Sequence, residues 1–380
     1  MKFDKSCLIL AGEKSGEDHA LTFFDELKKL QPDCDFYGVG GDRLQKRGAR
    51  LLYHLKDFSG IGISEVLSKV PFYYKALGKI MKEVKKRETK TAILIDFQGF
   101  NLKLAKKLKK RGVNVLYYVA PQAWVWKAYR AKTLQKNVHT LFTIIPFEKK
   151  WFAERGVSKT RGVVHPLMIE HGERLKNQKE KKAANFKERR PRILLLPGSR
   201  RAEIGSLLPV FEKAMKLLKE DFDFETGVVK VDSVNPEMYE SDLNMAKTWD
   251  SEDLAGAFEW ADMAVAASGT VTLATGLYGL PTVVCYKLSL FTEFVAGLLI
   301  HYDGAVSLTN IAHQERLFPE LIQHRADRYN IVKALKEWLA NPEAYDALTL
   351  KLSKTKFLLS GDDFSVPEYM SQVIESSHER

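Results

Sequence analysis

Cysteine is scarce in this sequence of 380 residues, which contains only Cys7, Cys34 and Cys285. An odd number of cysteines without metal-type or redox-type spacing gives no disulfide framework, and it indicates a reducing compartment with three buried thiols. No apolar run reaches the roughly 18 residues that a membrane-spanning helix needs. The opening MKFDKSCLILAG leads into a strand pattern instead of a signal sequence. These absences predict a cytoplasmic protein without a transmembrane segment.

Signatures of metal and cofactor sites are also missing. The spacing of the histidines does not indicate a zinc site. Asp221 and Asp223 form an Asp-x-Asp pair, but DFDFETGVVKV is typical of a loop that enters a strand, and no other acidic cluster would complete an oxygen-ligand shell. The loop at residues 12–17 matches neither the dinucleotide fingerprint nor the P-loop. We therefore expect neither a metal nor a cofactor.

Positive charge is concentrated in the first half of the chain. Lys and Arg outnumber Asp and Glu by 16 over residues 1–170 and by 6 over residues 171–192, whereas the acids are in excess by 11 over residues 193–380. A basic half suits nucleic acid, an anionic membrane or a phosphorylated substrate, and it is also compatible with a merely solvated surface. Charge alone does not choose among these alternatives.

Apolar runs of strand length, each closed by Gly or Pro and followed by a helical pattern, recur in both halves. This pattern predicts an α/β protein with two Rossmann-like domains, each built on a parallel sheet, separated by the charged linker 171–192. Ligands of parallel sheets bind outside the carboxyl ends of the strands, so we expect the two domains to face an interdomain cleft. The predicted strands are residues 7–11, 36–39, 92–95, 113–119, 193–196, 225–230, 263–267 and 282–286.

Two loops of the first half follow predicted strands and contain carboxylates. The loop GEKSGE places Glu13, Ser15 and Gly16 at the start of a helix, where free backbone N–H groups suit an anionic or hydroxyl-rich ligand; a plain turn capped by Ser15 is equally compatible. Asp96 follows the strand 92–95 directly, where a general base can lie. An aspartate directly after a strand and before a helix more often caps the helix.

Aromatic and cationic side chains alternate in two further stretches of the first half. In YYVAPQAWVWKAYRAK, Trp124 lies among residues that suit a sugar face, a lipid headgroup, single-stranded nucleic acid or the core. Residues 63–84 mix large apolar side chains with Lys69, Lys75, Lys79 and Lys82. Such a segment is typical of an interfacial amphipathic helix, although a helix packed on its own sheet with extended lysines is more common.

The second half offers two loops that suit a diphosphate. Ser199 and Arg200 follow one strand, and Ser268, Gly269 and Thr270 follow another and open a helix. Helix N-termini bind phosphate oxygens, and the guanidinium of Arg200 would stabilise charge on a departing nucleotide. An ordinary helix cap is the alternative for Ser-Gly-Thr, and the pairing of the two loops favours a functional role.

Nine segments taken in order resemble the lipid-A-disaccharide synthase family of GT-B type glycosyltransferases over nearly the whole chain. The order of the segments is more specific than any one of them. They are AGEKSGED, GVGGDRL, GIGISEVL, IDFQGFNL, YYVAPQAWVW, IPFEKKWF, LLPGSRRAEI, AASGTVTL and SLTNIAHQERLFPELIQ.

The resemblance implies transfer of diacylglucosamine from UDP-2,3-diacylglucosamine to 2,3-diacylglucosamine 1-phosphate, with inversion and release of UDP. It implies that Asp96 is the general base and that Glu13 positions the acceptor. Catalytic roles therefore fall on Asp96, Glu13 and Arg200. Substrate-binding roles fall on Ser15, Gly16, Asn101, Trp124, Ser199, Ser268, Gly269, Thr270, Asn310, Glu320 and Gln323.

The resemblance also implies an organisation and a location. An acceptor-binding, membrane-facing domain would span residues 1–172, a UDP-sugar domain would span residues 173–360, and a C-terminal helix at about 361–380 would pack back onto the first domain. The protein would associate peripherally with the cytoplasmic face of the inner membrane, without metal or nucleic acid, and a homodimer is compatible. The rivals are another GT-B enzyme, such as a UDP-N-acetylglucosamine 2-epimerase or a transferase with a soluble acceptor, and a non-catalytic basic module that binds membrane or nucleic acid. Steep salt dependence without UDP binding would indicate the basic module.

Overall fold

The structure is a computed structural model that describes residues 5–58, 69–124, 127–231, 234–239, 243–287 and 304–379. The chain divides into two compact units. The first comprises Met1–Ile169 and Ser360–Arg380, and the second comprises Glu170–Leu359. Each unit contains one parallel sheet with helices, as the sequence predicts.

The first unit contains a seven-stranded parallel sheet in the order β3-β2-β1-β4-β5-β6-β7. Its elements, in chain order, are β1 Lys5–Ala11, α1 Lys14–Leu21, α2 Phe24–Leu30, β2 Cys34–Gly40, α3 Asp42–Lys46, β3 Arg50–His54, α4 Leu55–Phe58, α5 Val70–Lys86, β4 Thr91–Ile95, α6 Gln98–Lys109, β5 Asn114–Tyr118, α7 Arg130–Asn137, β6 Thr140–Thr143, α8 Pro146–Ala153 and β7 Thr160–Gly162. Helix α9 Pro166–Glu170 follows β7 at the boundary with the second unit.

Both faces of this sheet are covered, which explains the continuous apolar runs of its central strands. Along β1, Leu8 and Leu10 belong to one buried cluster, while Cys7, Ile9 and Ala11 belong to the cluster on the opposite face. Alternate residues of a strand point to opposite faces, so a strand buried on both sides is apolar throughout. All three cysteines are free and buried, as predicted.

The C-terminal helix α19 Val366–His378 packs on the first unit. Its Ile374 joins the buried cluster of Cys7, and Gln31 Nε2 donates to Ser371 Oγ and to Glu375 Oε1, both at 2.7 Å. The returning chain turns at Gly361, where φ is +72° and a Cβ would lie 2.4 Å from the carbonyl carbon of Val163. Only glycine fits this turn without strain.

The second unit contains a six-stranded parallel sheet in the order β10-β9-β8-β11-β12-β13. All eight strands predicted across the two units are present, and the ends of β9, β11 and β12 agree with the prediction. The elements of the second unit are α10 Gly172–Lys176, α11 Asn185–Glu188, β8 Arg192–Leu196, α12 Arg201–Leu218, β9 Glu225–Lys230, β10 Lys247–Asp250, α13 Leu254–Trp260, β11 Met263–Ala267, α14 Thr270–Leu277, β12 Thr282–Tyr286, α15 Leu308–His313, β13 Glu320–Ile322, α16 Arg328–Ala340, α17 Pro342–Ser353 and α18 Thr355–Leu358, with short 3₁₀ turns at Pro236–Tyr239, Ser251–Asp253 and Gln323–Arg325.

The segment predicted as a linker is packed against the second unit, so that prediction is wrong. Lys181 Nζ donates to the carbonyl oxygens of Phe258 and Glu259, both at 2.9 Å, at the end of helix α13. Arg189 donates to both carboxylate oxygens of buried Asp262 at 2.6 and 2.8 Å. The last carbonyls of a helix need donors, and the dense charge of this segment supplies them. Burial lowers the pKa of Lys181 to about 8.

Candidate active site

Asp96 lies at the carboxyl end of β4 in a strained turn. Asp96 and Phe97 have φ values of +44° and +41°, which non-glycine residues rarely adopt. Three contacts hold the turn: the N–H of Asp96 donates to Tyr118 O at 2.9 Å, and its carbonyl oxygen accepts from Tyr117 Oη at 2.9 Å and from Asn101 Nδ2 at 2.8 Å. Helix α6 begins after Phe97 without a side-chain cap, so Asp96 is not a helix-capping residue.

The environment of the Asp96 carboxyl group favours its protonated form. Burial is the main cause, followed by the negative charge of Glu13, and together they raise the pKa of Asp96 to about 6 against the opposing effect of the Phe97 N–H. A carboxylate whose pKa lies near neutrality is suited to accept a proton from a hydroxyl group. Perturbed carboxyl groups of this kind are typical of functional sites.

Glu13 and Asp96 both line a cavity of about 450 Å³ whose other walls are largely apolar. Its buried members include Phe58, Leu77 and Phe100, which form the deep part. The rings of Phe58 and Phe100 lie 5.3 Å apart in a T-shaped arrangement. The full lining is Glu13, Phe58, Val70, Tyr73, Tyr74, Leu77, Asp96, Phe97, Gln98, Gly99, Phe100 and Lys103. An apolar cavity with two carboxylates can hold a lipid beside a general base.

The other candidates of the first glycine loop have unequal access to a ligand. Helix α1 begins at Lys14 with Glu13 as its N-cap residue, so Ser15 is not the cap and lies exposed in the first turn. Gly16 is buried, and a Cβ there would lie 3.5 Å from Ala11 Cα. Gly16 therefore packs the loop against the end of β1.

Asn101 is fully buried on helix α6, which gives it a supporting position in the site. Its Nδ2 donates to the carbonyl oxygens of Ile95 at 3.1 Å and of Asp96 at 2.8 Å. The side chain therefore fixes the backbone that bears the Asp96 carboxylate. This inward orientation is not visible in the sequence.

Trp124 is half-buried, and its indole contacts a buried acid, Glu148, that the sequence does not indicate as a site residue. Trp124 Nε1 donates to Glu148 Oε1 at 3.0 Å, and its ring contacts Phe147 edge-on with 5.1 Å between centroids. Glu148 is buried, and burial raises its pKa to about 8 despite the donated hydrogen bonds of Trp124 and Ile145. Residues 125 and 126 lie outside the described residues. The only signal for Glu148 is its place in IPFEKKWF.

In the second unit, the structure brings the two predicted diphosphate loops together. Ser199, Arg200, Ser268, Gly269 and Thr270 all line one cavity of about 380 Å³. The loops follow β8 and β11, which are paired neighbours in the sheet, so their carboxyl ends lie side by side. Helix α14 starts at this cavity with Gly269 as its N-cap residue, and its N-terminal N–H groups suit an anion.

The other helix at this cavity, α12, is already capped by an acid. Glu203 Oε2 accepts from the N–H groups of Ser199 at 3.1 Å and Arg200 at 3.3 Å. Gly198 has φ +111°, and a Cβ there would lie 2.5 Å from Glu203 Oε2. The N-terminus of α14 is thus better suited to an anion than that of α12. The Arg200 side chain is 82% exposed, with Nη1 3.3 Å from Glu203 Oε1.

The late candidates form a separate group. Asn310 Nδ2 donates to Phe318 O and to Glu320 Oε1, both at 2.9 Å, and Glu320 Oε1 also accepts from Ser307 N at 2.8 Å. Asn310 and Glu320 therefore clamp the chain that leads into α15. Gln323 is half-buried with φ +54°. None of Asn310, Glu320 and Gln323 is among the described residues that line the cavity at Arg200.

Within the described ranges, no group of three or more His, Cys, Asp or Glu residues has an arrangement that would hold a metal ion. No helix in the same ranges is long and apolar enough to cross a membrane.

Solved structures share this fold at low sequence identity. A putative UDP-N-acetylglucosamine 2-epimerase from Listeria monocytogenes superposes with a TM-score of 0.58 at 13% identity, covering 94% of each chain. The spinosyn rhamnosyltransferase superposes with a TM-score of 0.54 at 11% identity, covering 98% of this chain and 100% of the other. Together with the two parallel sheets, these similarities confirm the GT-B fold class, and they do not distinguish transferase from epimerase.

Sequence comparison makes that distinction. The family model of lipid-A-disaccharide synthetase matches residues 7–373. The lipid-A-disaccharide synthase of Myxococcus xanthus is 36% identical over 340 residues, covering 83% of each chain. That of Syntrophus aciditrophicus is 32% identical over 360 residues, covering 92% of each chain. With its GT-B fold and these matches over nearly the whole chain, the chain belongs to the lipid-A-disaccharide synthetase family of glycosyltransferases.

Proposed function

We propose that the protein transfers the diacylglucosamine unit of UDP-2,3-diacylglucosamine to a hydroxyl group of 2,3-diacylglucosamine 1-phosphate, releasing UDP. The observation that carries this proposal within the family is the Asp96 carboxyl group, which has a raised pKa and lines an apolar cavity. A soluble sugar acceptor would have no use for such a cavity. An acylated acceptor needs both an apolar surface and a base.

The first unit holds the acceptor in this proposal. Asp96 accepts the proton of the acceptor hydroxyl group while the oxygen of that hydroxyl group attacks the anomeric carbon of the donor. The attack comes from the face opposite UDP, so the configuration inverts. Glu13 keeps the pKa of Asp96 raised and positions the acceptor. Asn101 acts through Asp96 by holding its backbone, which makes it a positioning residue. Ser15, which is exposed in the first turn of α1, contacts the sugar, as does Trp124. Gly16 packs the loop that presents Glu13.

The second unit holds the donor in this proposal. As the bond between the anomeric carbon and the UDP oxygen breaks, negative charge develops on the diphosphate. Arg200 and the N-terminus of α14, at Ser268, Gly269 and Thr270, stabilise that charge, and Ser199 supports the loop. The proposal uses these groups in place of a metal ion. Asn310, Glu320 and Gln323 shape the segment that contacts the rest of the UDP-sugar.

Peripheral attachment to the cytoplasmic face of an anionic inner membrane is the location that fits this function. Helix α5 exposes Val70 and Tyr74 near the acceptor cavity, and Lys75 and Lys79 are exposed on the same helix. Apolar side chains flanked by lysines suit the headgroup region of an anionic bilayer. Residues 63–68 of the predicted amphipathic segment lie outside the described residues. A nucleic-acid partner is not part of this proposal.

Acceptor-dependent release of UDP tests the proposed function. Purified protein in detergent is given UDP-2,3-diacylglucosamine with or without 2,3-diacylglucosamine 1-phosphate, and UDP is measured with a coupled assay in the presence of chelator. We expect release only when both substrates are present. Release of UDP without acceptor would indicate hydrolysis, conversion of the donor sugar without release would indicate an epimerase, and neither product would contradict the proposal.

The pH dependence of the rate tests the role of Glu13. The base must be ionised, so kcat/KM for the acceptor should fall about tenfold per pH unit as the pH drops below about 6. Glu13→Gln removes the neighbouring negative charge, which lowers the pKa of Asp96. The acid limb of the pH–rate profile should therefore move to lower pH by at most about one unit, because burial is the larger cause of the raised pKa. The matched control is Asp18→Asn, an exposed acid on α1 that does not line the cavity. An unmoved limb in Glu13→Gln, or an equal shift in both variants, would contradict the assignment.

A further inference from the structure

The cavity beside Asp96 is chemically divided. Its deep part is made of Phe58, Leu77 and Phe100, all of which are buried and carry no polar side-chain atom. Its exposed lining contains Glu13 and Lys103, and Asp96 is half-buried. A ligand that fills the cavity therefore needs an apolar portion for the deep part and polar groups for the exposed part.

Lys103 is the only cationic side chain among the described residues that line this cavity. It lies one turn after Gly99 on the same face of helix α6, and Gly99 also lines the cavity. Lys103 Nζ lies 5.5 Å from the centre of the exposed ring of Tyr74, which belongs to helix α5 and also lines the cavity. An exposed cation–π contact is weak, so the ammonium group can exchange it for an anion. Among the described lining residues, the ammonium group of Lys103 is therefore the group that attracts the negative group of a ligand.

We propose that one acyl chain of the acceptor occupies the apolar part of this cavity and that Lys103 binds the acceptor phosphate. This inference rests on the proposed function, because it takes the acceptor to be acylated and phosphorylated and Asp96 to face its hydroxyl group. It assigns the two ends of the acceptor: the hydroxyl group lies at Asp96 and the phosphate at Lys103. Lys103 is then a substrate-binding residue that selects phosphorylated acceptors.

Gly99 keeps the cavity open for the chain. A Cβ at Gly99 would meet no atom within 4 Å, although the residue lines the cavity and belongs to a regular helix. Because Gly99 is exposed, a larger side chain at this position would occupy the open edge of the cavity without disturbing the packing around it. Gly99 thus helps to determine how much acyl chain the site accepts.

Calorimetric binding of acceptor in detergent tests both assignments without requiring turnover. The probes are 2,3-diacylglucosamine 1-phosphate with long acyl chains, the same compound with short acyl chains, and the long-chain compound without phosphate. We expect Gly99→Leu to weaken binding of the long-chain acceptor about tenfold and that of the short-chain acceptor much less. We expect Lys103→Met to weaken binding of the phosphorylated acceptor about tenfold or more and to leave the dephosphorylated compound unaffected.

Two matched controls separate these effects from a change in folding. Gly78→Leu fills open space on an exposed face of α5, outside the cavity lining, and Lys106→Met removes an exposed charge from α6, also outside the lining. Neither should discriminate between the probes. Equal weakening of long and short chains by Gly99→Leu would overturn the acyl assignment, and equal weakening of both long-chain probes by Lys103→Met would overturn the phosphate assignment. Discriminating binding without any UDP release would leave this inference standing and contradict the proposed reaction instead.

Discussion

Asp96→Asn is expected to reduce acceptor-dependent UDP release by about 10² to 10⁴-fold in kcat, because the amide cannot accept the proton of the acceptor hydroxyl. Asparagine is the appropriate substitution because Asp96 has φ +44°, a conformation that Asn tolerates better than most residues do. It also keeps the side-chain volume. Tyr117, Tyr118 and Asn101 contact only backbone atoms of Asp96, so the turn that they hold should be kept in Asp96→Asn.

Three measurements separate loss of the base from loss of the fold in Asp96→Asn. The thermal unfolding midpoint and the calorimetric affinity for UDP should match the wild type, since the proposed UDP site lies in the second unit. The remaining activity should lose the acid limb near pH 6, because the group that titrates there has been removed. A variant that keeps full activity, or that keeps the limb, would show that another group is the base.

The central strands could be predicted from the sequence because they are buried on both faces. β1 and β4 contain the continuous apolar runs CLILA and AILI, and β11 sits inside the second sheet with a fully buried sequence, MAVAA. Among the strands that were not predicted, β6 is also buried throughout, but its run TLFT has only four residues and begins and ends with Thr. Strands β7 and β10 lack the signal altogether. β10 is an edge strand of four residues, KTWD, in which only Trp249 is buried, and β7 is an edge strand of three residues. Their pairing depends on neighbours that are distant in sequence, and local patterns do not record it.

The candidate site was predictable to the extent that it depends on strand ends. The rule that ligands lie beyond the carboxyl ends of parallel strands locates Asp96 after β4 and the loops of Arg200 and Thr270 after β8 and β11. The direction in which a side chain points depends on tertiary packing, and this rule does not predict it. Asn101 and Asn310 turn inward to hold backbone and loop, which the sequence alone does not distinguish from contact with a ligand.

Contacts made by charged groups were the least predictable part. Residues 171–192 have the composition of a linker, yet Lys181 and Arg189 bind carbonyl and carboxylate groups that lie about 70 to 80 residues further along the chain. Glu148 lies in a short polar stretch that gives no sign of complete burial. A charged residue can be buried when its partners come from other elements, and those partners become known only when the fold is known.

Arg200→Met is expected to lower kcat by about 10² to 10³-fold while weakening UDP binding much less, because the guanidinium stabilises charge that develops only as UDP departs. The side chain is free to do this. It is 82% exposed, and its pairing with Glu203 at 3.3 Å is a surface ion pair that contributes little to stability. It can therefore leave Glu203 for the diphosphate at small cost.

Arg201→Met is the matched control for Arg200→Met. Arg201 is the next residue and is also cationic and exposed, but it begins helix α12 and does not line the cavity formed with Ser268 and Thr270. Steady-state kinetics with varied donor should give wild-type values for Arg201→Met. A rise in KM for the donor with unchanged kcat in Arg200→Met would show that Arg200 binds the ground state, and equal losses in both variants would show that the positive charge of the segment acts at long range. Only a loss of kcat confined to Arg200→Met assigns stabilisation of the leaving group to this guanidinium, because the two variants remove the same charge from adjacent positions.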